Sequence, residues 1–128
     1  MPGFKRYGAD KAGAGGQTLP FARAVEADGW LYVSGQVAMK DGEIVGTGIV
    51  EQTHVAIKNL IAIMDEAGYG LDTVVRVGVW LDDSRDFWSF NGVYKSYFGE
   101  HPPARAAVQS SLMVDAKVEI DCICYKAF

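Results

Sequence analysis

Residues 21–48 read FARAVEADGWLYVSGQVAMKDGEIVGTG. Apolar residues recur at every second position through 21–27, 30–39 and 43–48. The breaks between these runs, Asp28-Gly29 and Lys40-Asp41-Gly42, are of the kind that reverses a hairpin. The pattern predicts a meander of three strands. Its second strand is apolar on both sides, with Trp30 and Tyr32 on one face and Leu31 and Val33 on the other. A sheet built on such a strand has to be covered twice.

Downstream the period changes. Val50, Ile57, Leu60, Ile61 and Met64 form a helical stripe with Glu51, Lys58 and Asp65 off it, and Gly68 supplies a stop, which predicts an amphipathic helix over 49–67. VVRVGVWL at 74–81 is a β-branched strand in which Gly78 marks either a bulge or a close backbone approach. Phe87, Phe90, Val93, Tyr94 and Tyr97 predict a second helix. The acidic run Asp82-Asp83-Ser84-Arg85-Asp86 before it reads as N-terminal caps rather than as paired catalytic carboxylates. After Gly99 the double proline at 102–103 enforces an extended connection, followed by strands at 104–112 and 117–125 with a turn at 113–116. Residues 1–19, rich in glycine and small residues over 8–19, are expected to be a flexible segment. They lack the Gly-Lys-Ser/Thr ending of a phosphate loop.

The resulting order, βββαβαββ, is an α+β single domain over 1–128 with a mixed sheet. Two helices cover one face of that sheet, while its strands are apolar on both. Burying the second face against identical copies is the simplest solution, so a closed homo-oligomer is expected, with clefts between subunits as ligand sites.

Bulk composition narrows the function. A chain of 128 residues buries roughly two thirds of its unfolded surface and needs no disulfide or metal staple. The net charge of -4 offers no attraction to phosphate backbones, and His54 and His101 lie far apart, so nucleic acid is a poor partner. No run reaches the ~20 apolar residues of a membrane span, and the start has no signal-peptide core, so the expectation is a soluble, cytoplasmic protein. Cys122 and Cys124 share a strand face at about 6.5–7 Å, the far limit of disulfide geometry, and read as buried free thiols without the partners a metal site needs. His54, alone on its helix, is assigned no role.

Two charged residues stand out in PPARAAVQSSLMVDAKVEID, residues 102–121. Arg105 follows the rigid prolines among the small residues Ala104, Ala106 and Ala107. A surface arginine is the default reading, but a guanidinium fixed in open space also suits a carboxylate, which it grips through two parallel hydrogen bonds. Glu119 shares its strand face with Asp121, Ile123 and Tyr125. If that face is wet the glutamate is ordinary, and if another subunit covers it, its pKa rises and it can act as general acid or base.

The segments WLYVSGQ, DFWSFNGVYKSYFGEHPPAR and KVEID, with Ser-Gly-Gln, Asn-x-x-Tyr, Pro-Pro-Ala-Arg and Val-Glu-Ile in order, resemble the RidA (YjgF-type) family of reactive-intermediate deaminases from Pro20 onward. The resemblance implies a chorismate-mutase-like fold assembled as a homotrimer, with sheets packed into a central barrel and active sites between subunits. It implies a 2-iminobutanoate/2-iminopropanoate deaminase-like hydrolase that converts small imines or enamines, such as 2-iminopropionate from 2-aminoacrylate, to 2-oxo acids and ammonia. No metal or organic cofactor is implied. In this resemblance Arg105 binds the substrate carboxylate and Glu119 handles water, while Ser34, Gly35 and Asn91 fall at the pocket. Phe21 stands where a tyrosine is usual at the pocket entrance and Ala107 where a cysteine is common, so the pocket is less polar and the chain belongs in a divergent branch. Competing functions are a non-catalytic small-carboxylate binder and the ribonuclease or translation-inhibitor activity ascribed to some members.

Overall fold

The structure, a computed structural model, describes residues 3–8 and 19–127. Strands β1 (Phe4–Tyr7), β2 (Ala24–Ala27) and β3 (Trp30–Gln36) are followed by a small hairpin of β4 (Met39–Lys40) and β5 (Glu43–Ile44). Helix α1 (Ile49–Ala67), β6 (Val74–Leu81), α2 (Phe87–Phe98), β7 (Ala104–Gln109) and β8 (Val118–Tyr125) complete the chain. The main sheet has six strands in the order β1-β2-β3-β8-β6-β7. Only β6 and β7, joined through α2, run parallel.

The turns follow from their residues. Asp28-Gly29 and Asp41-Gly42 all have positive φ, at 51°, 90°, 54° and 81°, the backbone of a tight hairpin whose twist matches that of its strands. Gly68 ends α1 in the left-handed region at φ 85°, with its N–H and that of Tyr69 closing onto Asp65 and Met64 carbonyls. The acidic run before α2 caps as expected, although the capped element is a short 3-10 turn at Ser84–Asp86. There the Asp83 carboxylate accepts from the Arg85 backbone and side chain, which holds its pKa down to about 2.

Three expectations need correction. The third run of the meander does not join the main sheet: it pairs with Met39–Lys40 as a separate hairpin. Asn59 of α1 docks that hairpin by donating to the Val37 and Met39 carbonyls at 3.0 and 2.9 Å. The flexible segment expected over 1–19 contains β1, which pairs antiparallel with β2; the glycine-rich residues 9–18 lie outside the described residues. Finally, α1 turns a wider and shifted face inward. Ile57, Leu60 and Met64 of the expected stripe are buried, but so are Ile49, Thr53, Ala56 and Ile63, whereas Val50 is 49% exposed. The buried face is thus centred to the Ala56 side of the expected stripe.

Both helices pack on one sheet face. Ile57, Leu60 and Met64 of α1 and Phe90, Tyr94 and Phe98 of α2 share one core with Leu31, Val33, Val77, Val79, Val118, Ile120, Cys122 and Cys124. The two cysteines are buried free thiols with sulfurs 3.9 Å apart, and the Cys124 contact together with burial pushes the Cys122 thiol far up. On the other face Trp30, Tyr32 and Tyr125 stay exposed. The corrected stripe has a measurable consequence. Ile57→Ala is expected to lower stability by about 2–5 kcal/mol in urea denaturation, and Val50→Ala by under about 0.5 kcal/mol; comparable losses at both positions would refute the assigned face.

Candidate functional site

One group of site residues gathers where β3 loses register against β8, between Val33 and Gln36. The Ser34 hydroxyl donates to the Ala22 carbonyl at 2.7 Å, and its N–H to the Arg23 carbonyl at 2.8 Å. These bonds lay residues 21–23 along the irregular end of β3 and leave Phe21 half exposed beside it. At Gly35 a side chain has no room, because a Cβ there would run into the Glu119 carboxylate. The glycine therefore serves a close approach of backbone to carboxylate.

Glu119 alternates with buried Val118 and Ile120 and so lies on the sheet face away from the helices, paired across β8–β6 with Trp80. Partial burial, reinforced by the neighbouring Asp121 charge, raises its pKa. Burial likewise raises Asp121, which is steadied by the Gly78 N–H at 3.1 Å and by the charge of Arg76. Gly78 is thus a close approach and not a bulge: a Cβ would meet the Asp121 carboxylate and the Trp80 ring.

The second group sits on the opposite face. Arg105 pairs with Val77 in the parallel β6–β7 register and so points toward the helices, under α2. Its Nη1 donates to Asn91 Oδ1 at 2.8 Å. The guanidinium carbon lies 4.7 Å from the Tyr94 ring centroid, 5.7 Å from Phe87 and 5.9 Å from Phe90. Ring faces attract a cation without neutralising it. Among the described residues Arg105 forms no ion pair with a carboxylate, so the guanidinium is oriented yet keeps its charge for an anion. The Tyr94 phenol is buried without a hydrogen-bond partner among these residues, and burial, against the pull of Arg105, pushes its pKa up to about 12.

Beside this group lies an open hollow of about 290 Å³ lined by Leu81, Phe87, Trp88, Ala107 and Val108, with Ser84 and Gln109, joined by a hydrogen bond, on its rim.

The structure thus divides the residues singled out from sequence. Gly35 and Glu119 meet at one place, with Phe21 on the segment that Ser34 ties back; Asn91 and Arg105 meet at another, with Ala107 on the strand of Arg105, and β6 lies between the strands that carry Arg105 and Glu119. Within one chain the two halves do not share a pocket. Phe87, Phe90 and Tyr94 were legible only as a core stripe, although their i, i+3, i+7 spacing is what sets three rings around one guanidinium. His54 links the helices instead, its Nδ1 hydrogen-bonding to the Tyr97 hydroxyl at 2.8 Å. Among the described residues no cluster of three potential metal ligands occurs.

Two stability measurements probe these environments. A pKa raised on folding means that the Glu119 contribution is favourable only below its unfolded value and is lost as pH rises through the folded value. Glu119→Gln, which cannot ionise, is therefore expected to melt above wild type at about pH 7.5 and level with it at about pH 3.5, where both side chains are neutral. An offset independent of pH would contradict the assignment. Tyr94→Phe, which removes an unpartnered hydroxyl and keeps the ring under Arg105, is expected to be at least as stable as wild type, whereas Tyr94→Leu loses stability in the same denaturation assay.

Comparison with known proteins agrees with this architecture. Residues 15–126 match the family described as Endoribonuclease L-PSP. A RutC family protein of Pyrococcus horikoshii is 44% identical over 110 residues, 84% of this chain and 87% of its own. The 2-iminobutanoate/2-iminopropanoate deaminase of Mus musculus is 41% identical over 107 residues, 81% of this chain and 79% of its own. The crystal structure of E. coli TdcF with bound serine superposes with a TM-score of 0.82 at 29% identity, covering 95% of this chain and 98% of that one. With a family match over nearly its whole length and the same two helices on a mixed sheet, the chain belongs to the endoribonuclease L-PSP family, the RidA (YjgF-type) family that its motifs resemble.

Proposed function

We propose that the protein hydrolyses small carboxylate-bearing imines, and the enamines in equilibrium with them, to 2-oxo acids and ammonia. The observation that carries this reading is Arg105, held by Asn91 and three rings and paired with no carboxylate among the described residues. Its partner chemistry is a carboxylate, and the adjoining hollow, at about 290 Å³, is at the small end of small-molecule pockets. A named deaminase at 41% identity and a structural neighbour that holds serine, itself a small carboxylate, support the same substrate class.

The chemistry asks little of the protein. Water adds to the imine carbon while the C=N electron pair goes to nitrogen, which takes a proton and gives a carbinolamine. The hydroxyl proton then passes to that nitrogen as the C–N bond breaks, so that ammonia leaves and the C=O bond forms. Arg105 fixes the carboxylate. Glu119, with its raised pKa, accepts the proton of the attacking water and returns one to nitrogen.

The two halves of the site are completed by a homotrimer. The edge strand β7 carries exposed Ala104, Ala106 and Val108, and the open sheet face shows Trp30, Tyr32 and Tyr125, surfaces that a lone chain leaves wet. Packing copies around a closed ring brings the Arg105 half of one subunit against the Glu119 half of the next. A family description that speaks of ribonuclease meets a chain of net charge -4, which gives RNA no electrostatic footing.

Generating 2-iminopropionate in situ and following ammonia release tests the reading: wild type is expected to accelerate release and Arg105→Ala to lose about 30-fold or more in kcat/KM. An Arg105→Ala variant as fast as wild type refutes the role. Stabilisation by 2-oxo acids without any acceleration would instead identify a binder. Composite sites make a second prediction, since Arg105→Ala and Glu119→Gln subunits, each inactive alone, are expected to regain about a quarter of wild-type activity when co-refolded in equal amounts. No recovery would place both residues of a working site in one subunit.

A further inference from the structure

We infer that the hollow beside Ala107 is the side-chain pocket of this site, with Trp88 as its outer wall, and that the preferred substrates are 2-imino acids with bulky apolar side chains of four or more carbons. The inference rests on the proposed imine hydrolysis and names its substrate class. Ala107 is the next residue after Arg105 on the same face of β7, about 6.5–7 Å along the strand. Phe87 borders both the guanidinium and the hollow. An acid with its carboxylate on Arg105 therefore directs its side chain along β7, over Ala107 and into the space under Phe87. A methyl group leaves most of about 290 Å³ unfilled.

The walls select for apolar character. Leu81, Phe87, Trp88, Ala107 and Val108 offer no charge, and on the rim the Ser84 N–H donates to Gln109 Oε1 at 2.6 Å. A charged side chain entering there loses water and meets no opposite charge. An apolar one gains about fourfold in affinity for each methylene removed from water. Trp88 forms the outer wall of the hollow. The indole is 80% exposed on the first turn of α2, yet it is held edge-on against Phe87, with centroids 5.3 Å apart at 71°. A large ring that the fold orients but does not bury is suited to close over a ligand's side chain.

The test is a panel of imines produced in situ by amino-acid oxidases from alanine, leucine, phenylalanine and glutamate, with 2-oxo acid and ammonia followed for each. Wild type is expected to show kcat/KM about 10-fold or more higher for the leucine- and phenylalanine-derived imines than for the alanine-derived one, with the glutamate-derived imine slowest. Trp88→Ala is expected to lower kcat/KM for the leucine-derived imine about 10-fold more than for the alanine-derived one, and Ala107→Leu, which fills the hollow, to do the same. Hydrolysis of the alanine-derived imine with no preference for bulky ones overturns this inference and leaves the parent reading standing. Hydrolysis of none overturns both. Variants that slow every imine equally, or that shift oligomeric state without altering the preference, assign the hollow to subunit packing and overturn the inference.

Discussion

Strand β8 lies between β3 and β6, and every second side chain on it is committed to the helices. Val118, Ile120, Cys122 and Cys124 are sealed under α1 and α2, which fixes the pleat and forces Glu119, Asp121, Ile123 and Tyr125 to the other face. No helix among the described residues reaches that face. The two acidic residues on it are raised in pKa because they are part-buried within the chain itself. The architecture thus sets the chemistry of the face: two carboxyl groups are drawn toward their neutral forms on a sheet face that also carries exposed Trp30, Tyr32 and Tyr125.

Local compensation at the site explains the glycines. Gly35 and Gly78 have ordinary extended backbones and are small for contact reasons alone, since each gives room to a carboxylate from β8. The Ser34 hydroxyl, by tying Ala22 back, makes the register break in β3 a fixed feature. On the Arg105 side the same logic runs through aromatics. Asn91 supplies one neutral acceptor, the rings supply attraction, and the buried Tyr94 hydroxyl goes without a partner among the described residues. A carboxylate in place of Asn91 would have stabilised the arginine more and left it nothing to bind with.

Much of the fold was legible because its elements are bounded by residues with strong local preferences. Asp-Gly pairs, Gly68 and the double proline marked ends that the structure reproduces, and α1 and β6 occur over the residues the periodicity gave. The failures have physical causes too. The stripe on α1 was right at Ile57, Leu60 and Met64 and wrong at its Val50 edge because buried Thr53 and Gln52 do not look apolar, although Thr53 returns its hydroxyl to the Ile49 carbonyl and Gln52 is bonded at both ends. The turn at 40–42 was legible, but the separation of the 39–44 hairpin from the main sheet was not, because its docking depends on Asn59, twenty residues away. β1 escaped because its anchoring also comes from afar, through Tyr7 and Tyr69, which both donate to Glu26. As for the site, Arg105 and Glu119 could be singled out as odd, but alternation alone could not show that they face opposite ways, since that depends on the parallel pairing of β7 with β6.

That opposition bears on how the pocket diverged. Phe21 belongs to the Glu119 half and Ala107 to the Arg105 half, so the two positions where this chain is less polar than the family pattern lie on separate surfaces of one chain. Substitutions on surfaces that do not touch within a subunit have no reason to covary for folding. Both are less polar than the residue of the family pattern. Under the proposed function the two surfaces meet around one ligand, and the common direction of change suits a drier pocket for an apolar side chain.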